Sequence, residues 1–390
     1  MHFKPVRAAA RTAAVGGVAA LGLGALQAAA LAGPSVVHVP CNVTTLNTVI
    51  TDATSGETIV LAPGCVYDLP AALPDITVQL TIVGRHSVLQ RSSAGATPDF
   101  TILTVTTGGN LTVDNVNFYN GGGSTVDYGG AIYNDGGVLA VHGGTYGGNS
   151  DLDYGGAIYN DGGMQITGAT FTNNSSDYGG AIYNDDQADI TSTTFDHNRG
   201  TDGYAGAFYN DRNAVITHCD FISNTTEDYG GGIYNGKTLA VNDSQFQHNG
   251  AEYGGGIYND DGVVVADSEF ALNESYEGGG LYDYYYATVR HSAFVHNFGD
   301  YGAGLYDDDA MSVSHSRVNY NAAFAQGGGI YNDDATLNVG DTTIFSNSAT
   351  SGGGGIYNYS GGIVSLSHAT IYNNKPDNCE PLGTITGCTS

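Results

Sequence analysis

From about residue 57 onward the chain is written in short runs in which apolar and polar residues alternate, cut every few positions by Gly, Asn or Asp. ITGATFTNN (Ile166 to Asn174), ITSTTFDHN (Ile190 to Asn198), VNDSQFQHN (Val241 to Asn249) and VADSEFALN (Val265 to Asn273) show the pattern. Period-2 alternation predicts β-strands, not helices. Between these runs the core Gly-Gly-(Ala/Gly)-Ile-Tyr-Asn recurs, beginning at Gly129, Gly155, Gly179, Ala205, Gly230, Gly254, Gly278, Gly302, Gly327 and Gly353, at spacings of 24 to 26 residues. Phe171, Phe195, Phe221, Phe246, Phe270 and Phe294 share one column, continued by Val318, Ile344 and Ile371. An antiparallel sandwich would not return the same residue to the same place at every repeat. A solenoid would, because each residue then stacks on its counterpart about 4.8 Å away. The expected fold is therefore all-β: a three-sheet parallel β-helix of roughly 13 coils over residues 57–374. Phe and Ile fill its core, Asn forms ladders at the corners, and Gly pairs take backbone angles closed to other residues.

The two ends break the pattern. Leu46, Val49, Ile50 and Ala53 follow i, i+3, i+4, i+7 spacing, which predicts a short amphipathic helix inside an N-terminal cap over 33–56. An open solenoid end exposes core and strand edges, so a cap is needed there. The tail 375–390 fits the opposite end. Residues 1–32 read as a secretory signal peptide: Lys4, Arg7 and Arg11 precede an Ala/Gly/Leu-rich run that ends in Ala30-Leu31-Ala32. No second long apolar stretch follows, so a mature chain without a transmembrane segment is expected, secreted or held at the cell surface. Five cysteines in an exported chain suggest two disulfides and one free thiol. Cys41–Cys65 and Cys379–Cys388 are the simplest pairings, with Cys219 left over in an inward-facing column.

The Gly-Gly-Ala-Ile-Tyr-Asn and Thr-x-Phe-x-x-Asn copies resemble polymorphic outer-membrane-protein repeats, within the secreted bacterial right-handed parallel β-helix proteins of the pectate-lyase-like superfamily. The segment VPCNVTTLNTVITDATSGETIVLAPGCVYDLP resembles the cap region of exported members. The resemblance implies a right-handed coil and an exported, surface-associated protein. It leaves lyase, hydrolase and adhesin activities open, since function lives in a site and not in the fold.

Charge narrows the partners. Eleven Lys and Arg face 39 Asp and Glu, a net charge of −28. Nucleic acid is excluded as a partner, because phosphate recognition needs a basic footprint. A monomer is expected. Polysaccharide cleavage would need clustered acids or a base beside bound Ca²⁺. Asp185-Asp186, Asp260-Asp261, Asp307-Asp308-Asp309 and Asp333-Asp334 all follow the Tyr-Asn or Tyr-Asp of the core, so none marks a coil apart, and no catalytic residue is assigned. Three positions before the Phe column stand His218, Asp243, Asp267, His291, His315, Asp341 and His368. His291 and His315 are adjacent and are the candidate metal pair. The competing reading is that these residues, like Asn115, Gly143, Gly168 and Ser192 before them, fill a left-handed corner.

What folding leaves unexplained is a row of tyrosines: Tyr133, Tyr159, Tyr183, Tyr209, Tyr234, Tyr258, Tyr282, Tyr306, Tyr331 and Tyr357, seven of the ten cores being preceded by a further Tyr. Ile faces the core, so alternation turns the next residue outward. An external Tyr ladder beside an acid row predicts a candidate binding face for glycan, cell wall or a surface protein. The competing expectation is a ladder that only stabilises its own sheet. No cofactor is required, although Ca²⁺ bridging is one relief for like charges spaced about 4.8 Å apart.

Overall fold

The computed structural model describes residues 35–381 and 383–388; the expected leader lies outside them. The described chain forms an all-β, right-handed parallel β-helix of about 14 turns, one more than the repeat period predicts. The added turn begins at Val36–Val39, which precedes the helix and pairs in parallel with the strand after it, Val36 opposite Thr58.

Each turn has three faces. Two of its strands, such as Gly163–Thr167 and Thr170–Thr172, belong to one 25-stranded sheet that bends between them. The Ile-Tyr-Asn segments make the second face, a 12-stranded sheet in strict register, with Ile158, Tyr159 and Asn160 opposite Ile182, Tyr183 and Asn184. The third face is short strands, such as Ser175–Tyr178 on Arg199–Tyr204, continued by isolated bridges.

The corners explain residues that alternation cannot. His218, Asp243, Asp267, His291, His315, Asp341 and His368 all have positive φ, between 45° and 56°, and Asn115, Gly143, Gly168 and Ser192 in the earlier turns are positive too, between 51° and 70°. The left-handed corner is thus what that column does in the backbone. In the core motif the first Gly turns the chain from the third face to the second: Gly230 has φ 73°, and a Cβ there would collide with the Ile233 carbonyl.

Inside, the column from Phe118 through Tyr146 to Phe294 stacks ring on ring, with centroids 4.5 to 5.2 Å apart. Burial of each ring contributes about 2 kcal/mol. A hydroxyl row lies two positions before it, where Ser244, Ser268, Ser292 and Ser316 each accept the backbone N–H of the preceding turn. Cys219 heads that row, fully buried, and burial pushes its thiol up to about 11. A second polar row, Asn149 to Asn374, runs unbroken at the next corner. Asn224 Oδ1 accepts both the N–H and the Nδ2 of Asn198, while its own Nδ2 donates to the Phe195 carbonyl and to Asn249.

The helix Val43–Thr51 closes one end, with Leu46 and Ile50 buried on the first turn and the Asn42 side chain capping the Thr45 N–H at 2.8 Å. Cys41–Cys65 ties it down. At the other end Cys379–Glu380 adds the last strand of the second face, and Cys379–Cys388 closes the loop behind it. No helix among the described residues is long and apolar enough to cross a membrane.

Candidate functional site

The tyrosines of the ten cores do leave the solenoid core, as alternation requires. They form a cluster of their own on the outside of the second face. Their rings from Tyr159 to Tyr357 stack in parallel, 4.6 to 5.4 Å apart. The expected exposure is absent, however. Tyr183, Tyr234, Tyr258, Tyr282, Tyr306 and Tyr331 are all buried, Tyr306 being only 4% exposed, while Tyr133, Tyr159, Tyr209 and Tyr357 are half-buried.

The cover is the other tyrosine column. Tyr128, Tyr154, Tyr178, Tyr204, Tyr229, Tyr253 and Tyr301 stand at the adjoining corner and lay their rings edge-on over the first column, as in Tyr229–Tyr258 (4.8 Å, 63°) and Tyr301–Tyr331 (5.5 Å, 78°). Edge-to-face and offset pairs of this kind add about 1 kcal/mol each beyond burial. Asp residues of the following turn reach the phenols from the other side: Tyr306 donates to Asp333 Oδ2 at 2.6 Å, and Tyr159 and Tyr234 reach Asp185 and Asp260 at 3.4 Å. Burial first, then neighbouring carboxylates and phenols, hold these hydroxyls above their usual range, and Tyr133, beside Asp135, is pushed up to about 12. Tyrosines and acid row together form an outer packing layer.

The acids also depart from the repeat more than their place beside the core motif suggests. Glu277 stands where the outer column has Tyr, between Tyr253 and Tyr301. Burial, Asp333, Asp308 and Glu252 push its carboxyl up to about 7. One layer inward, Asp283 and Asp307 replace the Asn of the core motif, and both are fully buried. The turns at 277–309 are therefore set apart from the others, contrary to the expectation that every acid obeys the repeat.

The His291 and His315 rings stack at 5.1 Å on the exposed corner, and the column continues through side-chain contacts, His315 with Asp341 at 3.8 Å and His368 with Asp341 at 3.5 Å. Among the described residues no three His, Cys, Asp or Glu converge as a metal site.

Exposed aromatic surface lies elsewhere, at a corner the repeat columns did not single out. His296 stacks on Tyr320 (5.1 Å, 11°), Tyr320 meets Phe345 edge-on at 5.4 Å, and Phe345 stacks on Tyr372 (5.3 Å, 6°). Tyr320 is 46% and Tyr372 41% exposed. Beside the last two rings the chain forms an open cleft of about 490 Å³ lined by Ser346, Asn347, Ser348, Asn373, Asn374 and Lys375. Asn347 and Asn374 spend their amides in the continuous row, so the polar groups offered here are those of Ser346, Ser348, Asn373 and Lys375. Planar rings with an amide, hydroxyls and one ammonium can hold a sugar by its apolar face and its hydroxyls together.

Comparison with known proteins agrees with the repeat. The model of the Chlamydia polymorphic membrane protein repeat matches residues 168–185 and 341–359. Both stretches run from a corner residue of the long sheet, Gly168 or Asp341, through the Tyr-Asn of the next core motif, Tyr183-Asn184 or Tyr357-Asn358. The chain is a parallel β-helix repeat protein whose repeats are similar to those of that family. No curated protein and no solved structure matches the chain.

Proposed function

We propose that this protein is an exported, adhesin-like β-helix scaffold that binds glycan through the exposed aromatic corner at Tyr320, Phe345 and Tyr372. The observation that carries the reading is the contrast in exposure. Six of the ten regular tyrosines are buried by their neighbours, whereas in this strip Tyr320 and Tyr372 stand exposed on either side of the half-buried Phe345. The similarity to membrane-protein repeats of Chlamydia supports a place at a cell surface. The net charge of −28 argues for a neutral or weakly charged polysaccharide, since a polyanion would be repelled. Polysaccharide hydrolysis is the second reading. It draws on Glu277, whose raised carboxyl beside Asp308 and Asp333 has the character of a proton donor.

Retention on immobilised neutral polysaccharides, compared between the natural chain, Tyr320→Ala/Tyr372→Ala and Tyr234→Ala, tests the proposal. The double change is expected to lower retention at least tenfold at an unchanged melting temperature. Tyr234→Ala is expected to lower the melting temperature instead. Full retention by the double variant would refute the strip as the binding face.

A further inference from the structure

The polar row of the second face carries Asn at eight positions and Asp at two, Asp283 and Asp307. Along it each amide Nδ2 donates to Oδ1 of the next turn: Asn160 to Asn184 at 2.8 Å, Asn184 to Asn210 at 2.9 Å, Asn210 to Asn235 at 2.8 Å and Asn235 to Asn259 at 2.7 Å. Asn259 then donates to Asp283 Oδ1 at 2.7 Å, and the row resumes at Asn332, which donates to Asn358 at 2.7 Å.

Between these two points the row has acceptors and no donors. Asp283 Oδ2, both carboxyl oxygens of Asp307, and Asn332 Oδ1 are buried without a hydrogen-bond partner. All three residues have no exposed surface. Asn134 Oδ1 is unpartnered too, as the first rung must be, with no amide before it. Asn332 is in the same position in mid-row. Four orphaned oxygens on three successive rungs are what remains when two hydrogens are missing from a ladder. Left as carboxylates, two stacked anions would sit in the solenoid interior, a cost of several kcal/mol per charge.

We propose that Asp283 and Asp307 are held as neutral carboxylic acids, Asp283 donating its proton to Asp307 and Asp307 donating its own to Asn332, so that two bound protons complete the row. The surroundings favour this. Burial comes first and raises Asp283 to about 8 and Asp307 to about 7. Asp283 then faces the Asn259 amide, Asp307, the Tyr285 N–H and Asp309; Asp307 faces Asp309, Asp308 and the N–H groups of Asp309 and Met311, which lie close by but meet none of the orphaned oxygens at hydrogen-bonding distance and angle. The amide and N–H groups pull the other way, and no cation stands among these neighbours. Unfolded, both carboxyls return to about 3.8. The folded chain thus binds more protons than the unfolded one between about pH 4 and pH 8, so the stability these groups contribute is full below about pH 4 and is lost progressively as pH rises to about 8. Glu277 adds to the same slope, so the effect of the pair is read as a difference between variants.

Thermal unfolding of the natural chain and of Asp283→Asn/Asp307→Asn at pH 5 and pH 8.5 tests it. The natural midpoint is expected to fall by about 5 °C more than the variant's between the two conditions. Equal falls would overturn the proposal. Infrared difference spectra of the natural chain with isotope-labelled aspartate carboxyls provide a readout that does not need the variant to fold. A protonated-carboxyl C=O band persisting at pH 6.5 is expected, and its absence would overturn the proposal. An EDTA-induced drop of the natural midpoint that the variant lacks would also overturn it, in favour of a cation among the same oxygens.

Discussion

The two asparagine rows run along the same solenoid at different corners, yet one is continuous and the other is interrupted. In the continuous row each amide after the first rung makes four hydrogen bonds, because its Oδ1 takes the backbone N–H of the preceding turn as well as that turn's Nδ2. In the interrupted row Oδ1 takes the side-chain donor alone, as Asn184 does from Asn160, while Nδ2 serves an own-turn carbonyl, the next rung and, at Asn160, Asn210, Asn235 and Asn259, a carbonyl of the following turn as well. A carboxyl can supply one proton at most. What separates the rows is Oδ1, which takes a backbone N–H of the preceding turn in the continuous row and none in the interrupted one. The position of the Asp pair teaches that a ladder tolerates a change of chemistry where it carries less of the backbone's own accounting.

The comparison can be broken by removing rungs. Asn224→Ala in the continuous row strands two donors of Asn198 and the Phe195 carbonyl, and is expected to cost about 4 kcal/mol. Asn184→Ala in the interrupted row strands one donor of Asn160, the Asp186 carbonyl and Asn210 Oδ1, but no backbone N–H, and acceptors are the cheaper groups to leave unpaired, so the expected cost is about 3 kcal/mol. Urea unfolding at pH 6 measures both. Equal losses would mean that backbone capture does not separate the rows.

Much of this architecture is legible in the sequence because it is periodic. The Phe column, the inward Ile, the capping helix and the left-handed corner from His218 to His368 all follow from a spacing of about 25 residues and the residue types it repeats. Exposure is less legible. Alternation turns Tyr258 outward correctly, but the ring of Tyr229 that covers it comes from the adjoining corner, at an angle set by three-dimensional packing. The aromatic corner escaped because its members sit in different columns: Tyr320 two positions after Val318, Phe345 and Tyr372 one after Ile344 and Ile371. Asp283 and Asp307 were visible as departures from Asn, but the acids that follow the core motif made them look like more of the same. Their meaning depends on burial, which only the closed solenoid supplies.

The central claim is that a rung must donate as well as accept, and that a carboxyl serves only while it keeps its proton. Asn249→Asp moves the chemistry of Asp283 into the row that lacks it. Unfolding free energies at pH 5 and pH 8.5 are expected to show a loss relative to the natural chain at both, deeper by about 2 kcal/mol at pH 8.5, where the proton is harder to hold. A loss that is the same at both pH values would contradict the account.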